Sequence, residues 1–331
     1  MLNWKIEQLQ LNLKYTWKIS RNSSDFKINS IITCSDGVNA GKGEAAPNIR
    51  YQETPELMLQ VFEKFLALGA NEIKTADELS RILKQINTPN ALRFGIEQAY
   101  IHYLCHQANL DIYQFLKIDK PQSANTCYTL PIMSPNEIVT FFKENNLNRF
   151  AYLKIKISVD GALDEIKTLA SIYNKPILVD ANEAWKDADE LINFINNLKG
   201  YNIAFIEQPM HSSMIAEYKY VKPKISLPLM ADESFCAHVD FKDLKQQFDA
   251  VNMKLMKAGG YLNGLRLIHE AKKYGFKTMV GCMVETTLGM SGAYAFTGLT
   301  NFSDLDGYML INNEPYQLLV EENGEVRLNG F

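Results

Sequence analysis

Five short runs in the second half of the chain each end on an ionisable residue: Tyr152-Leu-Lys-Ile-Lys156, Ile177-Leu-Val-Asp180, Ala204-Phe-Ile-Glu207, Pro228-Leu-Met-Ala-Asp232 and Val251-Asn-Met-Lys254. Their last residues stand roughly 22 to 28 apart, the length of one strand, one helix and two loops. The pattern extends in both directions. Cys127 to Ile132 reads as a strand, and Ser134-Pro-Asn-Glu137 opens a helix with a capping box. Ala151 to Ile157 reads as a strand and Ala162 to Ile172 as a helix, and the alternation runs on through Met279 to Met283 and ends near Ser303-Asp-Leu-Asp306. Eight strand candidates with seven intervening helices predict an α/β domain whose parallel strands close into a barrel. No G-x-G-x-x-G follows the first strand, which argues against a dinucleotide-binding sheet.

Upstream, the pattern differs. Trp4 to Leu13, Phe26 to Cys34 and Val38 to Ala45 read as strands, the last after a Ser-Asp-Gly turn. Thr54-Pro55 signals a helix start, and Thr75 to Ile86 and Asn90 to Cys105 carry apolar residues at helical spacing. This predicts an α+β domain over residues 1–120, ahead of a barrel over 121–308. The tail, 309–331, reverts to strands around the Glu322-Asn323-Gly324 turn and is expected to return to the first domain.

Bulk properties narrow the function classes. The 331 residues suffice for a barrel and a smaller partner, with 47% hydrophobic and 22% charged residues as in soluble globular proteins. A net charge of -4 gives no basic footprint for nucleic acid or an anionic membrane, and no apolar stretch spans a bilayer. The start of the chain lacks the apolar core of a secretory signal. The five cysteines are scattered without a C-x-x-C pair, so a reducing cytoplasm is the expected location. The expected partner is a small molecule, and the composition is compatible with a homo-oligomer.

The strand-end residues carry the chemistry. Taken singly, Asp180, Glu207 and Asp232 each read as well as a helix cap. On consecutive strands of one barrel they must meet at one rim, where three carboxylates without a cation repel. Oxygen donors with no histidine or cysteine at similar strand ends suit Mg²⁺. Lys154 and Lys156 share a strand face. Lys254 lies four strands past Lys156, half-way round an eight-stranded ring. Two lysines facing each other can remove a proton from one face of a carbon and return it to the other. A bound Mg²⁺ would stabilise the enediolate that forms beside a carboxylate.

Lys-Ile-Lys, Val-Asp-Ala-Asn-Glu, Ile-Glu-Gln-Pro, Ala-Asp-Glu-Ser and Asn-Met-Lys-Leu-Met-Lys-Ala-Gly-Gly together resemble the muconate-lactonising subgroup of the enolase superfamily. The resemblance spans essentially the whole chain. It implies a modified (β/α)7β TIM-type barrel with an N-terminal α+β capping domain, one Mg²⁺ per site on Asp180, Glu207 and Asp232, and Lys156 and Lys254 as the bases. Gly259-Gly260 belongs to the lysine motif and is read as loop rather than as a phosphate cradle.

Ser303-Asp304-Leu305-Asp306 is similar to the Asp-x-Asp of dipeptide epimerases, where the acids take the substrate's α-ammonium group. The same resemblance implies substrate contacts from Thr129, Cys282 and Met283, and from Lys154 to the bound carboxylate. In Ala-Glu epimerases a second arginine in the loop matching residues 19–25 grips the glutamate side chain. Ser24 stands at that position here, while Arg21 matches an arginine preceding it. An apolar or small second residue is therefore expected, or a cationic one if Asp25 turns inward. The loop and Asn48 to Glu53 are expected to close over the site. The subgroup also contains o-succinylbenzoate synthases, cycloisomerases and N-acylamino acid racemases, which share the metal and lysine motifs. A non-catalytic metal- or peptide-binding barrel is the remaining alternative.

Overall fold

The structure is a computed structural model that describes residues 1–18, 23–312 and 314–329. It opens with an antiparallel sheet of β1 (Asn3–Lys18), β2 (Ser23–Ser35) and β3 (Ala40–Ala45) in that order. The first two strands are longer than the sequence suggests. The polar Ser-Ser-Asp run, read as loop, continues the ladder, with Trp17 opposite Ser24 after a register shift. Helices α1 (Pro55–Ala67), α2 (Ala76–Gln85), α3 (Asn90–Ala108) and α4 (Ile112–Leu116) follow. Thr54 and Thr75 cap the first two through their side chains, as their positions predict.

Helix α3 lies directly on β3, and glycine makes this possible. A Cβ at Gly41 would sit 2.2 Å from Ala99 O, and one at Gly43 2.1 Å from Gly95 O. The helix is buried along most of its length because it is sandwiched between this sheet and the barrel.

The short strand β4 (Ala124–Asn125) leads into eight strands that pair in chain order, every pair parallel. They are β5 (Thr129–Leu130), β6 (Leu153–Lys156), β7 (Ile177–Asp180), β8 (Ile203–Glu207), β9 (Leu229–Ala231), β10 (Ala250–Lys254), β11 (Lys277–Gly281) and β12 (Phe302–Ser303). Helices fill the seven crossovers: α5 (Pro135–Glu144), α6 (Ala162–Ile172), α7 (Ala188–Asn197), α8 (Ile215–Val221), α9 (Phe241–Lys245), α10 (Leu255–Ala258) with α11 (Tyr261–Lys273), and α12 (Thr287–Tyr294). The last strand curls back to the first. Cys127 N–H donates to Ser303 O at 3.2 Å, and the Tyr152 hydroxyl bonds both Asn125 O and Ser303 O. The protein is thus a (β/α)7β barrel with an α+β cap.

One layer of side chains plugs the barrel. Cys127, Tyr152, Leu178, Phe205, Met230, Ala250 and Met279 form a buried cluster, with Phe302 packed against it. Each strand or its lead-in contributes one residue. A strand repeats its inward face every second residue. The next inward positions are therefore Thr129, Lys154, Asp180, Glu207, Asp232, Asn252, Gly281 and Asp304. The polar floor of the mouth is the layer directly above an apolar plug.

The cap docks through acids seated on barrel helices. Glu44 accepts from Thr286 N and Gly289 N at the start of α12, and Glu97 accepts from Leu262 N at the start of α11. Helix N-termini favour such partners. Gly260, at φ 142, passes so close to Glu97 that a Cβ would meet the carboxylate at 2.3 Å. Gly260 packs under Glu97, and Gly259, at φ 76, ends the short helix before it.

The tail's strands, β13 (Leu319–Glu322) and β14 (Glu325–Leu328), form a hairpin whose second strand pairs with β4 at the barrel's entry rather than with the cap sheet. Contact with the cap comes earlier, where Ile311 bridges Leu13 and Asn312 bonds Asn12 O. Among the described residues, no helix is long and apolar enough to cross a membrane.

Gly43→Ala should destabilise the protein by about 2 kcal/mol or more, since neither the helix nor the strand backbone can move away. Urea unfolding of both proteins, with unchanged m-values, measures this.

Candidate active site

The lysines and acids of the sequence pattern meet at the C-terminal mouth of the barrel. Lys156, Asp180 and Glu207 are level with one another in the ladder. Lys154 Nζ lies 3.1 Å from Asp180 Oδ2, 2.8 Å from Glu207 Oε2 and 2.9 Å from Asp304 Oδ2. Lys156 Nζ bonds Asp180 Oδ2 and Asn182 Oδ1, both at 2.8 Å. On the far side Lys254 Nζ reaches Asp232 Oδ2 at 3.0 Å. The strand order puts β7, β8 and β9, with Asp180, Glu207 and Asp232 at their ends, between the two lysines.

All these groups are buried, so their charges depend on one another. Burial penalises the ionised Asp180 and Asp232, but Lys154 and Lys156 around the first and Lys254 and Lys257 around the second outweigh it. Both carboxyls are held below the usual range. Glu207 is raised, burial exceeding the pull of Lys154. Burial also opposes charge on Lys154 and Lys254, yet the surrounding carboxylates raise both above the ordinary lysine value.

The three acids suit a hard cation. Their donors are all oxygen, and Glu207 Oε2 has an ammonium 2.8 Å away but no well-directed hydrogen bond. Positive charge already fills the space between them, which shows what the pocket demands. Lys154 stands between Asp180 and Glu207, and the three acids do not all lie within 4.8 Å of one another. Among the described residues the group that does is Cys127, Asp304 and Asp306. That trio is a poor metal centre. Burial and then Asp304 push the Cys127 thiol well above its ordinary pKa, and the thiol donates to Asp304 Oδ1 at 3.1 Å.

Asp304 and Asp306 lie just past the short β12. Asp306 Oδ2 accepts from Thr129 N at 2.6 Å, and burial together with Asp304 pushes its carboxyl up to about 7. Asp304 is held low, Lys154 overcoming burial. A cavity of about 370 Å³ opens above these groups, and Thr129, Lys154, Lys156, Lys254, Cys282, Met283, Asp304 and Asp306 all line it. Ser24 does not. Its hydroxyl donates to its own strand at Phe26 O, and Phe26 to Asn29 form that part of the wall. Asp25 accepts from Thr16 and is also absent from the lining. Arg21 lies outside the described residues.

Three contributors escaped the sequence reading. Asn252 donates to Glu207 Oε1 at 2.8 Å; it lies two residues before Lys254 on the same strand face, so strand alternation alone points to it. Asn182 stands two residues after Asp180. Lys257 bonds Asp232 Oδ1 and Asp232 O from inside α10, where every other residue is apolar. A lone buried lysine in such a helix is a signal for a fixed acidic partner.

The cap closes the roof with the loop from Ala46 to Glu53. Arg50 grips Glu183 bidentately, both contacts at 2.7 Å, and adds Ser212 Oγ at 2.9 Å. Glu183 follows Asn182, and both have positive φ, 43° and 65°. The latch thus fastens the roof to the same strained turn that carries the partner of Lys156.

An eight-stranded parallel barrel with opposed lysines and a ring of acids at its C-terminal mouth defines a class of acid–base barrel enzymes. Residues 138–328 match the enolase C-terminal domain-like family. A protein named L-Ala-D/L-Glu epimerase from Bacteroides thetaiotaomicron is 31% identical over 87% of this chain and 76% of its own length. One named L-Ala-D/L-amino acid epimerase from Flavobacterium johnsoniae is also 31% identical, over 92% of this chain and 90% of its own. Among solved structures, an enolase family member from Agrobacterium tumefaciens with homology to dipeptide epimerases superposes with a TM-score of 0.88. It is 26% identical, covers 99% of this chain and 98% of its own, and was solved with sodium, L-Ala-L-Glu and an ordered loop. The chain belongs to the enolase superfamily.

Glu183→Gln should loosen the roof without unfolding the barrel. Amide exchange across residues 48–53 should speed up about tenfold or more, with the barrel strands unchanged. Equal exchange in both proteins would show that the latch holds nothing.

Proposed function

We propose that this protein is a Mg²⁺-dependent dipeptide epimerase, inverting the Cα of the second residue by proton transfer between Lys156 and Lys254. One observation carries the reading. Two buried lysines stand four strands apart in a parallel barrel, three carboxylates lie on the strands between them, and two further acids follow the last strand.

In one direction Lys156 takes the α-proton. The electron pair of the broken C–H bond moves into the adjoining carboxylate, which Lys154 contacts. Lys254, held as an ammonium by Asp232, returns a proton to the opposite face. Lys156 ends protonated and Lys254 neutral, and the reverse reaction exchanges their roles. When bound to Asp180, Glu207 and Asp232, Mg²⁺ supplies Lewis-acid stabilisation of the negative charge developing on the substrate carboxylate. Asp304 and Asp306 take the α-ammonium group, with Thr129, Cys282 and Met283 around the dipeptide. The roof excludes water and keeps the proton from leaking to solvent.

The relatives named as epimerases support this reading, as does a buried Asp304 that lines the cavity and whose carboxyl is held low by Lys154 against burial. A lyase such as o-succinylbenzoate synthase would use the same lysines but has no ammonium group for those acids to bind. We place the enzyme in the reducing cytoplasm, in keeping with its free cysteines, and assign it neither nucleic acid nor membrane as a partner.

Incubation of an L,L-dipeptide library in deuterium oxide with Mg²⁺ should put solvent deuterium on the Cα of the second residue and produce L,D epimers. Chelation should stop both, and Asp304→Ala should cut kcat/KM by about a hundredfold or more. Absence of exchange across the whole library would refute the reading.

A further inference from the structure

Among the described residues, the first and last barrel strands share no ladder. β5 and β12 stand at opposite ends of the strand order, and the pairing of β12 with β11 stops at Ser303, opposite Val280. Asp304 is the next residue. Its backbone is tied to β11 by the bond from Asp304 N to Val280 O, while its side chain reaches across the seam toward the first strand. Single bonds close that seam. Cys127 N donates to Ser303 O, Leu305 N to Thr126 Oγ1 at 2.9 Å, Ser303 N to the Tyr152 hydroxyl at 2.9 Å and Thr129 N to Asp306 Oδ2.

The Asp304 carboxylate is gripped at both oxygens. Lys154 Nζ holds Oδ2 at 2.9 Å, and the Cys127 thiol donates to Oδ1 at 3.1 Å. The two donors differ in what else they serve. Lys154 also touches Asp180 and Glu207, and the substrate's carboxylate belongs beside it, so its hold on Asp304 changes as the site fills. The thiol has one task. Cys127 is fully buried in the apolar plug, beneath the cavity and outside its lining. Its raised pKa keeps it protonated, so it remains a donor. The last torsion of an aspartate has little preference of its own. A carboxylate pinned at one oxygen swings with its partner, and one pinned at two keeps its plane.

Resting on the epimerase reading, we infer that Cys127 is a positioning residue: its thiol, donating from beneath the site, fixes the plane of Asp304 toward the substrate's α-ammonium group. It touches no substrate and moves no proton. The effect is confined to ligands that carry the ammonium.

The test measures binding of two probes to the Mg²⁺-loaded enzyme by calorimetry. One is the L-Ala dipeptide that exchanges fastest in the library assay. The other carries a propionyl group in place of the alanyl and so lacks the ammonium. Wild type should prefer the dipeptide. Cys127→Ala should shrink that preference by about fivefold or more, by weakening the dipeptide alone, and should raise KM more than it lowers kcat. Cys127→Ser, which keeps a donor, should retain most of the preference. A thiol with a merely structural role would weaken both probes alike. Infrared spectra of the S–H region supply a readout that needs no ligand: Asp304→Asn should move to higher frequency the band that Cys127→Ser removes. An unchanged preference in Cys127→Ala, equal losses in the alanine and serine variants, or a band that ignores Asp304→Asn overturns the inference while leaving the epimerase intact. No exchange with any dipeptide refutes the epimerase reading, and the positioning role with it.

Discussion

A carboxylate taken out of water must be matched by positive charge, and the barrel mouth is built around that requirement. Asp180, Glu207, Asp232 and Asp304 are buried together, and Lys154, Lys156, Lys254 and Lys257 are buried among them. Removing one partner would strand the other, so the set is fixed as a unit. The same requirement explains why a cation suits the three acids and why a dipeptide, with an ammonium at one end and a carboxylate at the other, suits the cavity. The apolar plug below keeps water from reaching the layer from beneath.

The cap answers to a related constraint. It meets the barrel through Glu44 and Glu97 at helix starts and through the Arg50–Glu183 pair. Each contact satisfies a backbone or charge that burial would otherwise leave exposed to a low dielectric. The roof is therefore polar where it is fastened and mixed polar and apolar where it faces the cavity.

Much of this was legible in the chain because strands repeat with period two. Once Lys156, Asp180, Glu207, Asp232 and Lys254 were seen at strand ends, their meeting on one rim followed from barrel geometry. Asn252 obeys the same period but carries no charge to mark it out. Lys257 sits on a helix turn, outside the strand rule. Ser24 reads as loop because polar residues in a long hairpin look like one, whereas the ladder pairs Ser24 with Trp17. The tail's choice of β4 over the cap depends on where two short edges meet in space, which no local pattern encodes.

The central claim is that Lys156 and Lys254 serve opposite faces of one carbon. The direct measurement is exchange of the Cα proton with deuterium oxide, starting separately from the L,L and L,D epimers, for Lys156→Ala and Lys254→Ala. Each variant should lose exchange from the epimer whose proton faces the missing lysine and retain it from the other, with opposite preferences in the two variants. Loss of exchange from the same epimer in both variants, or retention of full epimerisation in either, would contradict the account.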